Sequence, residues 1–67
     1  MFFMPRPWNE RQAIEEELAE LPPQIASNER EFEATPKENR FLRENLLWRI
    51  RRDQMRIADL RARLTRL

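Results

Sequence analysis

Glycine, cysteine, histidine and tyrosine are all missing from this 67-residue chain. Without cysteine there is neither a disulfide framework nor a thiolate zinc site. Without histidine the commonest metal ligand and the commonest general base near neutral pH are gone. Without glycine there are no phosphate-cradling loops and no glycine-capped helix ends. A chain this short buries little surface, and natural proteins of its size usually add disulfides, a metal or association with other chains. Helix packing and association are what remain.

The chain lacks a long hydrophobic run as well. The opening "MFFMPRPW" is apolar but carries no basic segment ahead of it, and Pro5 and Pro7 interrupt it, so it reads neither as a secretory leader nor as a membrane span. The expected location is the cytoplasm or an intracellularly assembled particle such as a virion.

Charged residues make up 37% of the chain and apolar residues 40%, and the mean hydropathy of −0.90 leans toward disorder. The regular spacing of the apolar residues pulls the other way. Abundant Glu, Leu, Arg and Ala favour helix over strand. The expected fold class is all-α, a helical hairpin or coiled-coil-like unit built as one small domain.

Residues 1–8 read as an extended arm, because the two prolines restrict the backbone. Phe2, Phe3 and Trp8 are its candidate anchors. Residues 9–21 read as a short acidic helix, capped by Asn9 with Gln12 reaching back, and stopped by Pro22 and Pro23. Its apolar face is Ala13 or Ile14 with Leu18 and Leu21. Residues 22–34 read as a connector with at most one marginal turn. "TPKE" at residues 35–38 looks like a helix start, with Thr35 as N-cap, Pro36 at the first helical position and Glu38 closing a capping box. A long basic helix then fills residues 35–67.

Charge divides along the chain. Residues 1–34 hold 3 Arg against 8 Glu, and residues 35–67 hold 10 Lys or Arg against 4 Asp or Glu. An acidic helix folding back along a basic one is one consequence; an acidic groove or helix on another protein is the other.

On the long helix a heptad places Ile50, Ile57 and Leu64 at a, and Leu46, Asp53, Leu60 and Leu67 at d. Leu46, Ile50, Ile57, Leu60, Leu64 and Leu67 are therefore a candidate partner-binding seam. Its flanks carry Arg49, Arg56 and Arg63 at g and Arg40, Leu47, Gln54 and Arg61 at e. In a homodimer through this seam arginine would meet arginine, which opposes self-pairing. Phe41, Trp48 and Met55 recur every seven residues at f, opposite the seam. They form a candidate second contact face, since rows of exposed aromatics usually mark interaction sites.

Chemistry finds little to work with. Ser27 and Thr35 read as caps, and Glu15, Glu16 and Glu17 diverge around the helix instead of converging on a cation. No enzyme activity, cofactor, metal or small-molecule substrate is expected. The function expected is that of a structural or adaptor subunit binding other protein chains through two faces of the long helix. The main alternative is a nucleic-acid-binding helix, with Arg49, Arg52, Arg56 and Arg63 as candidate polyanion contacts and Trp48 free to stack. A membrane-surface helix fits less well, because apolar rows lie on both sides.

Overall fold

The computed structural model describes residues 9–67, so the expected arm at residues 1–8, with Phe2, Phe3 and Trp8, lies outside the described residues. Two antiparallel helices, α1 (Glu10–Ala34) and α2 (Arg40–Arg66), pack along their lengths as a helical hairpin. The fold class is all-α.

Asn9 caps α1, its Oδ1 accepting the backbone N–H of Gln12 at 3.3 Å. The Gln12 side chain does not close a capping box. It donates instead to Glu16 Oε1 at 3.4 Å.

The larger difference lies in the middle of α1, which runs straight through Pro22 and Pro23 to Ala34. The helix does not stop at residue 21, and residues 22–34 are not a connector. A proline inside a helix costs about 3 kcal/mol, since it removes a backbone donor and crowds the preceding turn. Both prolines face solvent, as does Ala19, so water can reach the carbonyls of Leu18 and Ala19 that lose their donors. Opposing that cost is the apolar row that continues beyond them. Ile14, Leu18, Leu21, Ile25, Asn28, Phe32 and Thr35 are spaced alternately four and three residues apart, and each is buried or half-buried. Full burial of a side chain such as Ile or Phe stabilises by roughly 1.5–3 kcal/mol. Continuing the helix brings Ile25 and Phe32 onto that face.

Thr35 ends α1 and does not start α2. Its backbone is extended, as Pro36 requires of the residue before it, and its hydroxyl donates back to the Glu31 carbonyl at 2.6 Å. After the turn at residues 36–38, Asn39 is the N-cap of α2, its Oδ1 accepting from Leu42 N–H at 3.3 Å. The long helix is thus 27 residues, with its start shifted from Thr35 to Arg40.

Arg43 fastens the hairpin's closed end. Its guanidinium lies 4.0 Å from the centroid of the Phe32 ring. It also donates to the carbonyls of Phe32 at 3.3 Å and Thr35 at 2.9 Å. The last turn of α1 has no basic residue of its own, so α2 supplies the cation that favours a helix C-terminus. At the open end, Arg11 of α1 donates to the Leu67 carbonyl at 3.4 Å.

The core is a narrow seam. Ile14, Leu21 and Leu60 form its buried cluster, with Leu18, Ile57 and Leu64 packed against them. Leu46 and Ile50 are buried nearer the turn.

Candidate protein-interaction surface

The seam of α2 is filled by its own chain. Leu46 and Leu60 are 0% and 2% exposed, and Ile50 is buried. Ile57 and Leu64 pack against the α1 cluster. Leu67, at the helix end, is 48% exposed and belongs to the seam only by spacing. Of the two occupants the charge pattern offered for this seam, the chain's own acidic helix is the one that lies on it.

Asp53 interrupts this seam and is nonetheless buried, at 5% exposure. Arg52 Nε stands 3.5 Å from its Oδ1, and Gln24, Ser27 and Asn28 line a polar recess beside it. Half-buried Asn28 adds a second polar seam position, on α1. Polar groups of this kind set which register of two helices is allowed.

Eight glutamates and two arginines lie on α1, against nine arginines and three acidic residues on α2. Among the described residues one ion pair crosses between the helices. Arg56 grips Glu17 with two hydrogen bonds, from Nε to Oε2 and from Nη2 to Oε1 at 3.2 Å. This hydrogen bonding, helped by the charges of Arg56 and Arg63, holds the Glu17 carboxyl below the ordinary glutamate value and raises Arg56 above its own. Asp59 extends the network, 3.4 Å from Arg56 Nη1 and 3.3 Å from Arg63 Nε.

These pairings bear on the four candidate polyanion contacts. Arg56 holds Glu17 and Asp59, Arg63 holds Asp59, and Arg52 stands beside Asp53 while its guanidinium lies 5.5 Å from the Trp48 ring centroid. Arg49 lines the polar recess with Gln24 and Asn28. No continuous row of unpaired arginines results.

The second face has a different character. Phe41, Trp48 and Met55 are 81%, 62% and 73% exposed, on the side of α2 turned away from α1. Trp48 and Met55, with Arg51 and Arg52, line a shallow recess that is largely apolar. Leu47, 37% exposed, adds apolar surface along the flank. Sequence reading placed Leu47 at e but gave it no role in the surface. Nor did it find Arg43, whose signal was its a position next to the turn.

Among the described residues no three His, Cys, Asp or Glu side chains gather as a metal ion would need. Nor is any described helix long and apolar enough to cross a membrane. Among the described residues the interhelix pair Arg56–Glu17 and its neighbour Asp59 lie on the open surface of the hairpin. Compared with protein families, curated proteins and solved structures, the chain matches none.

Proposed function

We propose that this protein is a non-enzymatic structural or adaptor subunit that docks onto a protein chain through the outer face of α2. One observation carries the reading. A hairpin whose seam is already full still leaves Phe41, Trp48 and Met55 exposed in a row. Tryptophan is the residue type most enriched at binding hot spots, and it is costly to leave in water on a protein this small. The docking site proposed is that single face, because α1 occupies the other. The place proposed for the assembly is the cytoplasm or an intracellularly assembled particle.

A nucleic-acid reading draws on the arginine content of α2, but Arg52, Arg56 and Arg63 each have a carboxylate partner within the fold. Neutralised cations release few counterions and so add little to phosphate affinity.

The test is the size of the native complex in extracts of the source cell or particle, read by native size exclusion. The wild-type chain should run well above its 8.3 kDa mass. Trp48→Glu should run as the monomer, whereas Glu16→Gln on the outer side of α1 should leave the complex intact. A Trp48→Glu chain that stays in an undiminished complex would overturn the proposal. A complex that dissolves on nuclease treatment would transfer the reading to nucleic acid.

A further inference from the structure

Extended from the start of α1, residues 1–8 fall short of one end of the exposed row. They precede α1, whose beginning lies at the open end of the hairpin, where Arg11 meets the Leu67 carbonyl. Phe41 sits at the opposite end, 26 residues up α2 from Leu67, about 39 Å at 1.5 Å per residue. Eight residues span at most about 28 Å when fully extended. Those eight residues therefore do not reach Phe41.

The charges around the row narrow what that is. Along the outer side of α2, Phe41, Trp48 and Met55 are flanked within the helix by Glu44, Asn45, Arg51, Arg52, Ala58 and Asp59. Two acids meet two arginines there, so the face is neutral although α2 as a whole is strongly basic. An acidic groove and a polyanion are both poorly matched to it. A surface carrying the same charges in reverse order is well matched.

The spacing supplies that surface. Phe41 and Met55 lie seven residues to either side of Trp48, Glu44 lies four before it and Arg51 three after it. Place a second α2 antiparallel across a two-fold axis at Trp48. Each residue before Trp48 then comes level with one the same distance after it in the other copy. Phe41 meets Met55 of the other copy twice, Trp48 meets its own counterpart, and Glu44 comes within one residue of Arg51 on the same flank. Aromatic–thioether and aromatic–aromatic contacts are both favourable, and two symmetric Glu–Arg pairs set the register. Among the described residues neither Glu44 nor Arg51 forms an ion pair within its own chain.

We infer that the outer face of α2 is an isologous interface with a second copy of this chain, centred on Trp48 and registered by Glu44 against Arg51. It rests on the proposed docking role of this face and names the partner. The seam arginines that oppose self-pairing are not involved, because their heptad positions flank the side of α2 that faces α1. The dimer is two hairpins back to back, with the two α2 helices innermost. Its contact is one helix face, and since contact area does not by itself set affinity, association is followed over a wide concentration range.

The test is sedimentation equilibrium of the purified full chain from about 1 µM to about 1 mM. Helicity is followed by circular dichroism, to separate dissociation from unfolding. The wild type should pass from monomer to dimer, and Trp48→Glu should remain a helical monomer throughout. Glu44→Arg alone and Arg51→Glu alone should each weaken association by about tenfold or more, and the double exchange should restore it. A wild-type chain that stays monomeric, or a double exchange that fails to restore what the singles lose, overturns the inference. If the purified chain is monomeric while the native complex in extracts still depends on Trp48, the docking role stands and only the identity of the partner falls.

Discussion

At the scale of single residues, two arginines make different kinds of contact. Arg43 is half-buried against Phe32 and donates to two carbonyls at the end of α1, so it joins packing, hydrogen bonding and the helix dipole. Both hydrogen bonds come from Nη1, and lysine would keep the charge but lose the planar guanidinium that stacks on the Phe32 ring. Arg56 and Glu17 are more exposed, at 41% and 38% of their side chains, and water screens most of their attraction. Their contact has a pH signature all the same. Glu17 titrates below its ordinary value in the folded chain. The stability it adds is therefore fully present above the ordinary value that Glu17 keeps in the unfolded chain, and is lost as pH falls through the lower folded value. Thermal melts of the wild type between neutral and strongly acidic pH should show this loss, and Glu17→Gln should remove part of the acid slope. Equal slopes for the two chains would mean the contact does not persist in solution.

At the scale of elements, α1 is a helix held against its local preferences. Pro22 and Pro23 each remove a backbone donor, and α1 persists because its face continues through Ile25 and Phe32 onto α2. Pro22→Ala and Pro23→Ala should therefore raise the melting temperature of the hairpin. Each gain is bounded by the ~3 kcal/mol helix penalty of proline and reduced by the flexibility that alanine returns to the unfolded chain. The solvent-facing position of both prolines means that no packing is lost in exchange. A fall in melting temperature would show that the prolines restrict the unfolded chain by more than they cost the helix. The other element, α2, is the better isolated helix, with no interior proline and with Arg63 and Arg66 in its last turn complementing the dipole.

At the scale of the whole molecule, stability is small and concentrated in few residues. Usual stabilities per residue put a chain of this length at roughly 3–10 kcal/mol, and Leu→Ala in a core removes about 2–5 kcal/mol. Leu60, 2% exposed among Ile14, Leu18, Leu21 and Leu64, is the most exacting site. Leu60→Ala should leave a large fraction of the chain unfolded at room temperature, read as lost helical dichroism. If a second copy covers the outer face, added protein should recover part of that loss by mass action. Apolar surface left exposed at Phe41, Trp48 and Met55 adds nothing to the hairpin's own core, which makes the isolated hairpin sensitive to a single core truncation.

Composition and periodicity determined the all-α class, the cap at Asn9, the seam from Leu46 to Leu64 and the outward position of Phe41, Trp48 and Met55. Each follows from local sequence, through the absence of glycine and of strand-forming residues, the heptad spacing and one capping side chain. The tertiary structure decided what lies across the seam and where the helices begin and end. Pro22 and Pro23 read locally as a stop, and only the gain from burying Ile25 and Phe32 on a partner helix overrides them. The signal was present in the four-and-three spacing from Ile14 to Thr35, but a local rule about proline outweighed it. Thr35 and Asn39 likewise both suit a cap. Pro36 holds the backbone of Thr35 extended, which fits the end of one helix as well as the start of the next, and the choice fell to the length of α1. Spacing assigns a residue to a face; packing between distant parts of the chain determines whether that face is filled from within or left for another molecule.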